Sequence, residues 1–291
     1  MKDFLIFNYS WVKNSTYMFE RLLEYHTGDI VTEKTLDSFV PTSRYKAVIV
    51  YLHEPHQLNK INQIIELYMP HAYLIQHDTT DHEHVQAWTR KRPDFIFQRE
   101  LTADTENPWG CRLFPMHFPM PSLYEEEYQN KTIDVSFMAT MTNPRRRPFC
   151  EHVLQLMEGS LSHLTWHTRV TPSEVRQPDE FKKVANMSKI GLHYFGNSYD
   201  SHRIWELASA KAAIIMPELR LKSTAPSHMP FYSYCVIRDD FQDLEEKILY
   251  LLEDDRYKEV ANSSFNDYNQ NHTPEKCFEK YHQIILENIK L

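Results

Sequence analysis

AVIVYL at residues 47–52 is an uninterrupted run of apolar and aromatic side chains. Such a run predicts a strand that is buried on both faces, as strands in parallel sheets are. The flanking segments, residues 15–25 and 58–68, space their apolar residues as amphipathic helices do, and the second stops before Pro70. A buried strand between two such helices predicts βαβ units and therefore a parallel α/β sheet.

The same alternation continues in two series, separated by the polar and acidic stretch YEEEYQNK at residues 124–131. The first series predicts further strands at residues 4–7, 72–76, 94–98 and 113–116, and a further helix at 81–90. The second predicts strands at 134–139, 164–167, 190–194, 212–216 and 235–238, and helices at 147–158, 179–187, 201–210, 241–252, 256–266 and 274–289. The predicted fold is α/β with two Rossmann-like domains, residues 1–130 and 131–291, the second carrying the terminal helix.

Composition argues against several classes of protein. The chain has 291 residues but only 5 glycines, and it contains neither GxGxxG nor GxxxxGK[ST], the usual dinucleotide and P-loop signatures. A net charge of −8 argues against a nucleic-acid partner. The four cysteines form no CxxC pair, which argues against a zinc site and favours reduced thiols in the cytoplasm. No apolar window is long enough to predict a membrane span, and the N-terminus is not typical of a signal peptide.

The second half of the chain carries motifs in a recognisable order. DVSFMA at residues 134–139 is followed by NPRRR at 143–147, and KIGL at 189–192 leads into SHRIWELASAKAAII at 201–215. Over residues 131–290 this pattern resembles the CgeB-like and exostosin-like GT-B glycosyltransferases. The resemblance implies two Rossmann-like domains facing a cleft, with a glycan acceptor bound by the N-terminal domain and a nucleotide-sugar donor by the C-terminal domain.

The implied activity is transfer of a sugar from a nucleotide-diphosphate donor to a glycan hydroxyl, without a cofactor. The donor is expected to be UDP-linked. The resemblance extends to exostosin-like enzymes with which large algal viruses (chloroviruses) build capsid glycans in the host cytoplasm. One of these is a xylosyltransferase, which makes UDP-xylose a candidate donor. A nucleotide-sugar epimerase or phosphorylase on the same fold stays open as an alternative, as does a non-catalytic glycan-binding protein.

Several residues of the second half are candidates for contacts with the donor. Arg145, Arg146 and Arg147 form a basic run at a predicted strand-to-helix turn, where guanidinium groups and a helix N-terminus favour a diphosphate, and Arg145 and Arg147 are the first candidates. The hydroxyl of Thr140, in the same loop, is a further hydrogen-bonding group. The resemblance places His167 or Thr168 opposite the nucleobase. The alternatives are a solvated basic turn and an ordinary loop.

Arg203 and Glu206 are three residues apart on one face of a predicted helix. The resemblance implies that Arg203 binds the diphosphate and that Glu206 accepts hydrogen bonds from the ribose hydroxyls. The preceding loop contributes Tyr194, Asn197 and Ser201 as further candidate donor contacts. The alternative is an ordinary surface ion pair, which contributes only tenths of a kcal/mol.

The stereochemical course and the general base depend on other positions. Many retaining GT-B families carry the pattern ExxxxxxxE, but here Ser198 stands where its first Glu would precede Glu206, which favours inversion. Inversion requires a base for the acceptor hydroxyl, and the candidates after predicted strands of the first half are Asp78, then Glu54, then His77. The neighbouring histidines match no metal-ligand motif, and no DxD sequence is present, so we expect a metal-independent reaction.

Overall fold

The computed structural model describes residues 1–9, 13–52, 58–78, 85–86, 88–99, 101–102, 104–116, 119–128, 130–141, 143–171, 178–196, 201–218 and 235–291. The chain divides into two compact units. The first contains Met1–Pro119 together with Pro274–Leu291, and the second contains Met120–Thr273. Each unit is built around its own parallel sheet.

The first unit contains a sheet with the strand order β2-β1-β3-β4-β5-β6, in which neighbouring strands are parallel. Its strands are β1 (Lys2–Asn8), β2 (Gly28–Thr32), β3 (Tyr45–Leu52), β4 (Tyr73–Asp78), β5 (Phe95–Gln98) and β6 (Arg112–Pro115). Helices α1 (Lys13–Tyr25), α2 (Glu33–Leu36) and α3 (Leu58–Tyr68) connect them. Residues 47–51 of β3 are at most 1% exposed, as expected for an apolar strand inside a parallel sheet.

The second unit contains a parallel sheet with the order β11-β10-β9-β7-β8. Its strands are β7 (Ile133–Thr140), β8 (Trp166–Thr171), β9 (Ser188–Leu192), β10 (Ala213–Pro217) and β11 (Cys235–Ile237). Its helices are α4 (Arg147–Glu158), α5 (Pro178–Met187), α6 (His202–Ser209), α7 (Leu244–Leu252) and α8 (Tyr257–Asn271), with short 3₁₀ turns at Glu126–Tyr128, Pro144–Arg146 and Glu253–Asp255. The strand order reverses direction between β7 and β9, which makes this the topological switch point of the sheet.

The predicted α/β class with two parallel sheets is confirmed, and the element bounds differ in places. Strand β2 was not predicted, because only Val31 of its residues is buried and its apolar pattern is short. Residues 85–86 and 88–90, within a predicted helix, are not helical, and 81–84 and 87 lie outside the described residues. Among the helices of the described residues, none is both long enough and apolar enough to cross a bilayer.

The terminal helix α9 (Pro274–Asn288) packs on the first unit. The sequence analysis had assigned it to the second domain. Its apolar stripe, represented by Phe278, Tyr281 and Ile285, joins the cluster formed by the first sheet and α1. The boundary after the first series also lies earlier than residue 130, since residues from Met120 onward group with the second unit. The helical period shows that a face is buried but does not show which sheet buries it.

Replacing Ile285 by Ala should therefore destabilise the first unit, because this fully buried side chain packs in the cluster of the first sheet. Such a loss of buried methyl groups costs about 2–5 kcal/mol. Leu286→Ala is the control, since Leu286 is 48% exposed and its loss should change the free energy of unfolding by less than about 0.5 kcal/mol. Hydrogen exchange should show lost protection in β1 and β3. Loss confined to β7 and β9 would contradict the placement of α9.

Candidate functional site

The switch point of the second sheet is the expected ligand position, because ligands of open parallel sheets bind beyond the carboxyl ends of the strands where the order reverses. Strand β7 ends at Thr140 and leads into α4, and β9 ends at Leu192 and leads into α6. Both connections contain basic and polar residues that were predicted from the sequence as donor contacts. The two loops and the first turns of these two helices form the candidate site.

Arg146 ties these two loops together. Its Nε donates to the backbone carbonyl of Phe195 at 3.1 Å, and its Nη1 donates to the backbone carbonyl of Thr140 at 3.0 Å and to the Thr140 Oγ1 at 3.1 Å. The Thr140 hydroxyl, a candidate donor contact, therefore accepts a hydrogen bond from Arg146. A guanidinium group suits such a bridge because its donors are held in one plane with fixed directions.

Asn143 and Gly196 complete this connection. The Asn143 Nδ2 donates to the carbonyl of Gly196 at 2.7 Å, while its Oδ1 accepts from the Arg145 N–H at 2.8 Å and caps the turn before α4. A Cβ atom at position 196 would stand 2.4 Å from the Arg146 Nη2. Glycine at this position thus permits the close approach of the guanidinium to the β9 loop.

The three consecutive arginines have different environments. Arg146 is half-buried in the bridge, whereas Arg145 and Arg147 are exposed at the start of α4. Within the described ranges, neither of the two exposed guanidinium groups has an ion-pair partner. Arg145 and Arg147 are thus accessible to solvent, whereas the middle arginine bonds to two loops of its own unit.

The first turn of α6 supplies the other charged groups of the site. Ser201 caps the helix and accepts from the Arg203 N–H at 3.3 Å. The Arg203 Nη1 lies 3.1 Å from the Glu206 Oε2, and the two side chains are 35% and 20% exposed. The Arg203 guanidinium also lies over the Phe181 ring, 3.5 Å from its centroid. Burial lowers the pKa of Arg203 and raises the pKa of the Glu206 carboxyl, although each partner's charge opposes the shift.

This pair is therefore more enclosed than the surface ion pair that was the alternative interpretation. Arg203 is held in one orientation by the ring beneath it and the carboxylate beside it. A guanidinium group that is stacked and paired loses less conformational freedom when it binds a ligand than a free one does. The arrangement suits recognition of an anion next to hydroxyl groups.

His193, which the sequence analysis did not select, lies directly after β9 at the switch point. It is 3% exposed, and its Nε2 has no hydrogen-bond partner among the described residues. Burial lowers its pKa to about 3, and the charges of Arg146 and Arg203 act in the same direction. A buried polar atom without a partner costs about 1–3 kcal/mol. The one feature of the sequence that could have identified His193 is its position at the end of an apolar strand.

Tyr194 lies on the face of the second sheet that packs against α4. Its ring stacks on Phe149 at a centroid distance of 4.9 Å and meets Phe241 edge-on at 5.4 Å. The structure thus assigns its ring to the packing between β9, α4 and the segment before α7. Asn197, the next candidate along this loop, lies outside the described residues.

His167 and Thr168 do not lie at the end of their strand, contrary to the prediction. Strand β8 extends to Thr171, and Thr168 pairs in register with Phe137, three residues before β7 ends. The His167 Nε2 lies 3.9 Å from the Glu180 Oε1 on α5. Because these residues sit within the strand and not in its carboxyl-end loop, the structure does not support their assignment to a nucleobase. The loop that follows β8, residues 172–177, lies outside the described residues.

His77, the third candidate base, is enclosed in the first unit. Its imidazole is fully buried among the rings of Phe19, Tyr51, Phe97 and Tyr281, and its Nε2 lies 3.0 Å from the Tyr281 hydroxyl. Burial lowers its pKa to about 3. An imidazole with so low a pKa, and without contact to solvent, is a poor acceptor for a proton from a substrate hydroxyl.

Asp78, the first candidate base, is fully buried too. Its Oδ2 accepts a hydrogen bond from the Gln86 N–H at 2.6 Å. Strand β4 runs to Asp78 and not only to residue 76 as predicted, so that both candidates lie inside the sheet and not in the following loop. Both side chains are therefore enclosed within the first unit. Glu54 lies outside the described residues, as do the histidines and acidic residues of 53–57 and 79–84.

In the part of the chain that the structure describes, no three His, Cys, Asp or Glu side chains cluster closely enough to hold a metal ion. The polar groups at the switch point are instead guanidinium groups, an imidazole, hydroxyl groups and one carboxylate. Such a set can bind an anion together with neighbouring hydroxyl groups.

Solved structures with the same architecture are glycosyltransferases. An alpha-glucosyltransferase in complex with UDP-glucose and DNA containing an abasic site has 10% identity and a TM-score of 0.62, covering 98% of this chain and 99% of that one. Anabaena HepE in complex with UDP and glucose has 9% identity and a TM-score of 0.57, with coverage of 99% and 100%. A glycosyltransferase from Rickettsia africae has 9% identity and a TM-score of 0.57, with coverage of 98% and 98%.

No family model matches the sequence, and no curated protein sequence matches it. At 9–10% identity, the likeness to solved structures concerns the fold and not the residues of the site. The structure therefore shows two parallel α/β sheets with the fold of GT-B glycosyltransferases.

Proposed function

We propose that this chain is a glycosyltransferase that moves a sugar from a nucleotide-diphosphate donor to a glycan hydroxyl. The observation that carries the proposal is the set of cations at the switch point of the second sheet, on a chain whose net charge is −8. Like charges collect at one place against their mutual repulsion, and an anionic ligand there relieves it. The solved structures with the same fold, which contain UDP-glucose or UDP and glucose, support a UDP-linked donor.

The proposed donor contacts lie at the starts of α4 and α6 and in the loop before α6. Arg203 and the capped start of α6 bind the diphosphate from one side, while Arg145 and Arg147 reach it from the start of α4. Glu206 accepts hydrogen bonds from the ribose hydroxyls, for which a carboxylate has two acceptor oxygens. Asn197, in the loop before α6, is a further proposed contact. Thr140 contributes indirectly, through its bond with Arg146.

The proposed reaction is inverting and needs no metal. Guanidinium groups neutralise the charge that develops on the leaving diphosphate, which gives them the role that a metal ion has in other transferases. Ser198 stands where retaining families of this fold carry a glutamate, which supports inversion. Of the three candidate bases, Glu54 is the one to test first, because the side chains of His77 and Asp78 are buried. UDP-xylose stays among the donors to test.

Two other functions are compatible with a nucleotide-sugar site. A nucleotide-sugar epimerase converts the donor without an acceptor, and a non-catalytic glycan-binding protein binds without turnover. Product analysis separates these from a transferase, because only a transferase forms a new glycosidic bond while it releases the nucleoside diphosphate.

The proposal is tested by a panel of nucleotide sugars, with UDP-glucose, UDP-xylose and UDP-N-acetylglucosamine against GDP-mannose. A true donor at a hundredfold excess over its Kd stabilises the folded state by about 2.7 kcal/mol. One UDP-sugar should therefore raise the melting temperature of the full chain and release UDP in the presence of a glycan, with EDTA present. Activity that EDTA abolishes and manganese restores would reject the metal-independent reaction, and a panel without any stabilising nucleotide would reject the proposed function.

Glu206→Gln should weaken binding of the stabilising donor about tenfold, roughly the loss of one hydrogen bond to a charged acceptor. Removing the 2′-hydroxyl from the donor should reduce affinity less in the variant than in the wild type. In the variant this hydroxyl has already lost its carboxylate partner, so its removal costs little more. Glu253→Gln is the matched control, since Glu253 forms an exposed i,i+3 ion pair with Arg256. Equal losses for the 2′-deoxy analogue in wild type and variant, measured by calorimetry, would remove Glu206 from the ribose site.

Glu54→Gln should reduce transfer by about 10²–10⁴-fold, the usual contribution of a general base, with little change in donor affinity. Asp78→Asn should instead change stability, because the carboxylate accepts the Gln86 N–H inside the sheet. Initial rates and melting temperatures of both variants distinguish the two roles. If Asp78→Asn keeps its melting temperature and loses turnover while Glu54→Gln keeps both, then Asp78 is the base and the assignment made from burial is wrong.

A further inference from the structure

The imidazole of His193 lies on the α6 side of the second sheet. Side chains alternate along a strand, and on β9 the residues Ile190 and Leu192 pack into the cluster with α4 and α7. Gly191 faces the opposite side, where a Cβ would stand 2.5 Å from a methyl group of Leu207 on α6. His193 follows in phase with Gly191. The imidazole therefore belongs to the face covered by α6.

Two guanidinium groups act on this imidazole. Arg146 reaches the adjacent loop through its bond to the Phe195 carbonyl, and Arg203 extends from the first turn of α6. Burial of the ring lowers the pKa of His193, the two positive charges lower it further, and the imidazole is therefore neutral. Since the ring is neutral, one of its nitrogens carries a proton and the other accepts. The Nε2 is buried and has no hydrogen-bond partner among the described residues.

We propose that the Nε2–H of His193 donates a hydrogen bond to a phosphoryl oxygen of the donor's diphosphate, between Arg146 and Arg203. This inference rests on the proposed function and adds a binding residue to it. The phosphoryl oxygen supplies the acceptor that Nε2 lacks, and its negative charge is attracted by both guanidinium groups. Leu, which has no polar atom, would fill the same space without an unpartnered nitrogen. A ligand that supplies an acceptor for Nε2 offsets the cost of this unpartnered nitrogen.

The test compares His193→Leu with His193→Gln in the full chain. Calorimetry with UDP should show affinity lowered about tenfold to a hundredfold in His193→Leu, which corresponds to one charged hydrogen bond. His193→Gln should recover part of that affinity, because its Nε2 can donate from a similar position. Uridine, which has no phosphate, should bind the wild type and both variants equally. The melting temperature of His193→Leu without ligand should be equal to or higher than that of the wild type.

Ser188→Ala is the control within the same strand. Ser188 is fully buried at the other end of β9, where its hydroxyl donates to the Val184 carbonyl at 2.6 Å. This variant should lose stability and keep its affinity for UDP. In ¹⁵N-histidine-labelled wild-type protein, UDP should shift the Nε2 resonance that is absent from His193→Gln, and uridine should not.

The outcomes separate this inference from the proposed function. If the wild type binds UDP and His193→Leu binds it equally well, the inference is overturned and the proposed function stands. Equal losses for UDP and uridine, or an unshifted Nε2 resonance in the presence of UDP, also overturn it, because the contact would not be to phosphate. A wild type that binds neither UDP nor any other nucleotide of the donor panel overturns both.

Discussion

The hydrogen bonds of Arg146 are the interaction on which the candidate site depends. This one guanidinium joins the end of β7 to the loop after β9, two segments that lie 49 residues apart between Arg146 and Phe195. Backbone carbonyls at the ends of strands need partners, and here they receive them from a side chain that fixes the distance between both loops. Gly196 leaves space for that side chain, and Asn143 binds the backbone of the same loop.

This bridge has an electrostatic consequence. The charge of Arg146, and that of Arg203 held by Phe181 and Glu206, both lower the pKa of the buried His193. The ring of His193 is neutral because burial disfavours its charged form, and the two guanidinium charges act in the same direction. Two arginines at the start of α4 remain exposed and accessible. In the proposed function, Arg146 and Arg203 are held in place before the anionic donor binds, which lowers the reorganisation that binding requires.

In the first unit, two titratable side chains that were candidates for the general base are buried. His77 and Asp78 were selected because they directly follow an apolar run in the sequence. In the structure this strand continues through both residues, and an aromatic cluster that includes Tyr281 of α9 encloses the imidazole. A difference of two residues in the end of a strand therefore decides whether a side chain lies in a loop or in the core. Such bounds depend on packing from distant segments, which a local pattern does not contain.

The sequence by itself determined the alternation of strands and helices, and with it the two parallel sheets, because apolar periodicity reports which faces are buried. It also identified the basic turn before α4 and the Arg203 and Glu206 pair, since spacing alone places residues on one turn or one helix face. Only the tertiary structure decided that α9 belongs to the first sheet and that Arg146, not its neighbours, forms the bridge. It also decided that the His193 Nε2 is buried without a hydrogen-bond partner among the described residues. These features arise from contacts between segments far apart in the chain, and their partners are chosen by packing and charge in three dimensions.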